Sequence, residues 1–263
     1  MVHAIRLKDN KASYANRWIQ TSRLRQELAY LRPVFVKIGE LVGAKGMLHL
    51  LSQNFKKVFG ILDISQGTGQ ANTNLVYHGK KLMALHESDL PYVLKVLCNG
   101  VIETIGRASV GDPDPGNPDG FKQFTAHPKI DRETGDMHFF SYDIRQAPYL
   151  TYGVMDENGK LNKSIPIELP YGPSMIHDMA LTSNYAIFLY MPLFFRPKEM
   201  VKGEGFPFVF DPTKPSMFAL LPRSATSAES IQWFCLPAGM IFHTANAWDD
   251  EEDKVSKRKT QKG

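Results

Sequence analysis

Phe124-Thr125-Ala126-His127-Pro128-Lys129-Ile130-Asp131 sets one histidine on a short, mostly apolar, strand-like run that opens a β-rich stretch of the chain. Two later segments repeat the layout, Ser174-Met175-Ile176-His177-Asp178-Met179-Ala180-Leu181 and Gly239-Met240-Ile241-Phe242-His243-Thr244-Ala245-Asn246-Ala247-Trp248-Asp249-Asp250. The intervals between the histidines are 50 and 66 residues. The shorter approaches the ~40 to 45 residues of a four-stranded propeller blade, and the longer carries an insertion. The recurrence predicts an all-β chain of repeated four-stranded units, with each histidine on the first strand of its unit. In a propeller that strand borders the central channel, so the three histidines are expected to meet on a common axis.

Working outward, the unit opened by 124–127 continues through a turn at 131–136, strands at 137–143 and 149–155, a turn at 156–159 and a strand at 164–169. The next unit opens at Met175 and continues through 185–191, 206–210 and 217–221, with an insertion over 192–205. A further strand is expected at 231–236, and 240–243 opens another unit. Upstream, alternating runs at 75–77, 82–85 and 92–97 read as strands, and the proline- and glycine-rich stretch 111–120 reads as a long loop. Residues 1–17 read as a hairpin turning at Lys8-Asp9-Asn10-Lys11. Between them, about 21–62, the period changes: Leu24, Leu28 and Leu31, then Met47, Leu51, Phe55, Val58 and Leu62, share helical spacing. Lys45, Lys56 and Lys57 border the second helix. Residues 45–62 therefore read either as an amphipathic helix packed on the domain or as a contact with a membrane surface.

A chain of 263 residues with 43% hydrophobic and 11% aromatic residues has globular composition. The net charge of +4 owes part of its excess to the basic tail over 254–263, expected to be disordered, so no nucleic-acid partner is expected. Two cysteines, Cys98 and Cys235, without CxxC spacing, read as free thiols in a reducing compartment, which points to the cytoplasm. No apolar run approaches the ~18 residues of a membrane span, and residues 1–8 lack the apolar region of a signal peptide.

Neutral imidazole suits iron, copper, zinc and nickel, so His127, His177 and His243 form a candidate metal site whose metal the residues leave open. A zinc centre with three histidines and a bound water would satisfy the same side chains. Taken singly, each is equally a hydrogen-bonded core histidine; the recurrence is what favours ligands. His3, His49, His78, His86 and His138 show no such recurrence and read as surface or packing residues. Glu87 either orients a metal-bound imidazole by accepting its N–H, or is a solvated turn residue. Asp178 adjoins His177 and on a strand points to the opposite side, which argues against its being a ligand. The acidic run 249–253 reads as a solvated turn. No phosphate loop, nucleophile elbow or Cys-His pairing is present.

At this point the chain strongly resembles the carotenoid cleavage dioxygenases, most of all the plant type that cleaves at the 9,10 and 9′,10′ double bonds. The resemblance runs from Met1 to about Asp253. It is carried by Arg17-Trp18-Ile19-Gln20-Thr21-Ser22-Arg23-Leu24, by the stretches around His127 and His177, by Phe194-Phe195-Arg196-Pro197-Lys198-Glu199-Met200-Val201, and by Phe242-His243 with Asn246-Ala247-Trp248. It implies a seven-bladed β-propeller in which four histidines hold a non-haem Fe(II) and glutamates orient three of them. By motif, His127, His177 and His243 look like the first three ligands and Glu87 like the first of the glutamates. The implied chemistry adds both atoms of O₂ across a conjugated double bond of a carotenoid or apocarotenoid and yields two carbonyl products. The helix over 45–62 would then resemble a membrane-contacting surface through which such a substrate leaves the lipid.

Chains of that family are roughly twice this length. The sequence is therefore expected to be truncated at both ends: a partial propeller over 1–253 of about four to five blades, with the fourth histidine belonging beyond Asp253. A plastid transit peptide would belong to the missing N-terminal part, which makes the plastid the alternative compartment. Two rival readings are a non-catalytic fragment, from splicing or an incomplete gene model, that at most binds carotenoid or a partner, and a three-histidine zinc hydrolase.

Overall fold

The computed structural model describes residues 1–111, 120–199 and 205–250. The loop expected over 111–120, the end of the acidic run and the basic tail over 254–263 lie wholly or mostly outside the described residues. Strands β1 (Val2–Lys8) and β2 (Lys11–Arg17) form the expected hairpin. Its turn residues Asp9 and Asn10 take positive φ, 51° and 54°. A two-residue turn between twisted strands requires that conformation, and Asp and Asn tolerate it.

Helix α1 (Ser22–Ala29) begins where the Thr21 hydroxyl accepts the Leu24 N–H at 3.1 Å, satisfying a donor that the helix itself leaves free. Helix α2 (Gly43–Val58) follows. It packs on the domain through buried Gly46, half-buried Met47 and Leu50, and Gln53, whose Oε1 accepts the Val36 N–H, but most of the expected apolar row points outward. Leu48, Leu51, Phe55 and Val58 are exposed, Val58 at 79% and Phe55 at 58%, while the buried residue of the helix is Gly46. The local core of Val34, Phe35 and Leu62 is filled from the flanking segments, so the helix's own row is left outward. No helix among the described residues is long and apolar enough to cross a membrane.

Three four-stranded antiparallel sheets follow in chain order. The first joins β3 (Asn74–His78), β4 (Lys81–Leu85), β5 (Tyr92–Val96) and β6 (Ile102–Arg107) as a simple meander. The second joins β7 (Lys129–Ile130), β8 (Met137–Tyr142), β9 (Leu150–Met155) and β10 (Leu161–Ile167) in the same way. After β11 (Met179–Leu181) and β12 (Tyr185–Tyr190), the chain leaves the third sheet for a hairpin, β13 (Leu193–Phe195) with β14 (Phe208–Phe210). It then returns to complete the sheet with β15 (Ser216–Pro222) and β16 (Gln232–Leu236).

The strand expected at 206–210 belongs to the excursion hairpin, and the strand expected at 231–236 is the fourth of the third sheet. Strand β6 was not anticipated, because Glu103, Thr104 and Gly106 break up its apolar pattern. The length predicted four to five units, yet the described residues hold three four-stranded sheets, since hairpins and unpaired segments take up the remainder. The runs around His127, His177 and His243 are not strands; the first two lie just upstream of β7 and β11, and 240–243 opens no sheet among the described residues.

Packing between successive sheets forms the core. Met83 and Leu85 of the first sheet meet Phe124, Met137, Phe139 and Met155 around the second. The other face of the second sheet, Phe140, Tyr152 and Ile165, meets Ile176, Phe188 and Ala219 of the third. The alternation of Phe139 and Phe140 between these two clusters is the two-residue period of a strand buried on both faces. Gly153 of β9 lies directly opposite Phe139, whose ring occupies the space a side chain would take: an added Cβ would stand 2.2 Å from Cζ. Gly153→Ala is therefore expected to destabilise the fold by ~1–3 kcal/mol through overpacking, read as a fall of several degrees in Tm.

Candidate metal centre

The three histidines sit on backbone that leaves the sheets, so local anchors position them. The segment before His127 is held between the first two sheets. Phe124 N–H donates to Asp89 C=O at 3.1 Å, Thr125 N–H to Phe140 C=O at 2.9 Å, and Asn74 Nδ2 to Ala126 C=O at 3.0 Å. The buried Thr125 hydroxyl then accepts the His127 N–H at 3.0 Å. Before His177, Met175 N–H donates to Leu193 C=O at 3.0 Å and Ile176 is fully buried in the core between the second and third sheets. The segment carrying His243 crosses the third sheet without strand pairing. It is anchored by Ser216 Oγ to Gly239, by Asp178 to Thr244 and by Asn184 to Asp249.

These anchors bring the imidazoles together. One nitrogen from each of His127, His177 and His243 lies within 4.8 Å of the others. His127 Nε2 and His177 Nε2 are 3.1 Å apart, and the three ring centroids are 4.7–4.8 Å from one another. Two imidazole nitrogens bound to one ion at about 2.1 Å, at right angles, would stand about 3 Å apart, so the spacing of His127 and His177 fits a shared cation, with a nitrogen of His243 nearby. His127 and His177 are half-buried, and His243 is the most exposed of the three.

Electrostatics favour neutral rings. Burial, then the neighbouring His127 and His243, holds His177 down at about 4, and burial lowers His127 as well. Neutral imidazole offers a lone pair, which is the form a metal requires. Glu87, in the turn after β4, lies against His177 Nδ1. With Nδ1–H donating to that carboxylate, the Nε2 lone pair of His177 turns toward His127. The expected partner of Glu87 was a metal-bound imidazole in general; the structure places it at His177, not at His127. Burial, then the charge of Asp178, raises Glu87 to about 7.

Sequence reasoning set Asp178 aside as facing away from the ligands. In the structure it is buried, binds Lys129, Met179 and Thr244, and brings Oδ2 to 3.7 Å from His243 Nδ1. Its place next to His177 was the one available signal. Of the histidines read as packing or surface residues, His138 is buried with Nδ1 2.5 Å from the Tyr152 hydroxyl, and His78 Nε2 is 3.0 Å from Gly135 C=O. Cys98 and Cys235 are exposed free thiols.

Residues 1–259 match the family model described as retinal pigment epithelial membrane protein, RPE65. The chain is 46% identical over 255 residues to carotenoid 9,10(9′,10′)-cleavage dioxygenase 1 of Pisum sativum, an alignment covering 97% of this chain and 46% of that protein. It superposes on a lignostilbene dioxygenase of Pseudomonas brassicacearum with TM-score 0.67 and 26% identity, covering 90% of this chain and 44% of the other. It superposes on the cobalt-substituted apocarotenoid oxygenase of Synechocystis with TM-score 0.68 and 26% identity, covering 95% and 50%. The chain thus spans about half the length of the relatives it matches.

A raised carboxyl and lowered imidazoles act oppositely on stability. Between about pH 4.5 and 7 folded Glu87 binds more protons than unfolded Glu87, so it adds stability as pH falls through that window. Between about pH 6.5 and 4 folded His177 binds fewer protons than unfolded His177, so it removes stability as pH falls. In chelator-treated protein, Glu87→Gln is expected to steepen the loss of Tm from pH 7 to 4.5, measured by thermal unfolding across that range.

Proposed function

The chain belongs to the RPE65 or carotenoid oxygenase family, and from that premise we propose that it carries the iron-binding half of an enzyme that cleaves a conjugated double bond of a carotenoid or apocarotenoid with O₂. The convergence of His127, His177 and His243 carries this reading. These three would hold a non-haem Fe(II), with Glu87 orienting His177. Bound iron would supply the binding and activation of O₂, whose two atoms end in the two carbonyl products. The 9,10(9′,10′) bond is proposed on the likeness to the cleavage dioxygenase of Pisum sativum.

The chain's own residues prepare the site. Burial keeps His127 and His177 unprotonated at neutral pH. Glu87, whose carboxyl lies against His177 Nδ1, would fix the tautomer of that ring by accepting from Nδ1. Phe242 packs edge-on to His177 at 5.3 Å between centroids and gives the centre an apolar wall suited to a polyene. The consecutive four-stranded antiparallel sheets, with the histidine segments entering the first strands of the second and third, support a propeller in the whole protein.

Helix α2 is proposed as the contact with a lipid surface. Its support is the outward row of Leu48, Leu51, Phe55 and Val58, continued by exposed Phe59 and Ile61 and bordered by Lys56 and Lys57. An apolar polyene dissolves in the bilayer, so a lipid contact would serve its uptake.

The 263-residue chain purified with Fe(II) under anaerobic conditions is expected to retain iron, and His177→Ala to lose it together with any O₂ consumption on β-carotene or zeaxanthin. Iron retained at wild-type level in that variant would overturn the ligand assignment. For the helix, Leu51→Asp with Phe55→Asp is expected to cut sedimentation with phosphatidylcholine vesicles severalfold while leaving Tm within a few degrees, because both side chains are already exposed.

A further inference from the structure

Each histidine of the centre has a near neighbour in the chain that is bound to one buried side chain. Lys129, two residues after His127, brings Nζ to 2.8 Å from Asp178 Oδ1. Asp178 itself follows His177, and its Oδ1 also accepts the Met179 N–H at 2.8 Å. Thr244, which follows His243, donates its N–H to Asp178 Oδ2 at 3.0 Å and its hydroxyl at 3.2 Å. His243 Nδ1 stands 3.7 Å from the same oxygen. The carboxylate is 2% exposed and touches groups from β7, from β11 and from the segment after β16.

We infer that Asp178 is the positioning residue of the histidine centre: one carboxylate ties the three segments that carry the imidazoles and sets their spacing for a divalent cation. This role rests on the reading of the histidines as ligands. Its physical basis is that the backbone at His127, His177 and His243 belongs to no strand, so no ladder fixes the rings relative to one another. The dependence is greatest for His243. Of the anchors on its segment, those at Gly239 and Asp249 lie four and six residues away, whereas Thr244 adjoins it. Metal–ligand distances tolerate only about 0.2 Å of error, so a slack tie at Thr244 would be felt as weaker binding.

Four variants of the full chain, Asp178→Asn, Lys129→Met, Lys129→Arg and Thr244→Val, would be compared with wild type. Co(II) affinity would be measured by chelator competition, Tm in metal-free protein, and cleavage within 239–249 by limited proteolysis. Asp178→Asn and Lys129→Met are expected to bind Co(II) roughly 10–100-fold more weakly, the range for residues that support ligands. Lys129→Arg should bind within a fewfold of wild type. Thr244→Val, which keeps the backbone donor and so the fold, should weaken binding and speed cleavage within 239–249 while metal-free Tm changes little. Unchanged affinity in both Asp178→Asn and Lys129→Met would overturn the role. So would a loss of affinity that only tracks the loss of metal-free Tm across the four variants. If the wild-type chain bound no Co(II), the ligand reading itself would fall, and this role with it.

Discussion

A carboxylate buried to 2% exposure must be matched by donors, and at Asp178 those donors come from three separate stretches of chain. Burial raises its pKa, but Lys129, with the Thr244 and Met179 N–H groups, more than offsets this, so the group is held below the usual carboxylate range. Removing one partner leaves the buried carboxylate with an uncompensated charge, which destabilises the fold. The same arrangement therefore fixes the second sheet, the third sheet and the crossing segment relative to one another. The candidate metal centre stands on that junction.

The sheets supply the rigid part of the scaffold. Strands β8 and β9 are buried on both faces, with Phe139 packed toward the first sheet and Phe140 and Tyr152 toward the third. Ion pairing reinforces the contact at the outer end, where Arg223, which follows β15, binds Asp131 in the turn after β7 and also donates to Thr182 C=O at 3.2 Å. The third sheet buries Phe188, Ala219 and Leu221 against the second. Its opposite face, Ala180, Ile187, Leu189, Phe218 and Leu220, lines an open apolar groove of about 330 Å³ that Thr244, Asn246 and Ala247 border. A rigid pair of sheet faces with unpaired segments at their inner ends is a suitable base for ligands, because the sheets hold position while the segments direct side chains.

Much of the site was legible because it is written as a repeat. Three histidines in similar settings, 50 and 66 residues apart, predict a shared location once the units are recognised as equivalent. The local frame was less legible. His127 and His177 were expected on strands, but their segments spend backbone groups on neighbouring sheets, such as Thr125 on Phe140. Asp178 was set aside by a period-two argument, but the backbone at His177 and Asp178 belongs to no strand, and a local period cannot say which distant groups meet the side chain.

By itself, the sequence determined the strand-rich class, the N-terminal hairpin, the two helices and the identity of the three imidazoles, because alternation, helical spacing and turn chemistry act over a few residues and are read locally. Only the tertiary structure decided that Glu87 lies against His177, that Asp178 joins Lys129 to Thr244, that β16 rather than β14 completes the third sheet, and that Leu48, Leu51, Phe55 and Val58 of α2 face outward. Each of these depends on which distant surfaces meet. Burial and pairing across ~50 residues or more are properties of the packed chain, and no local pattern encodes them.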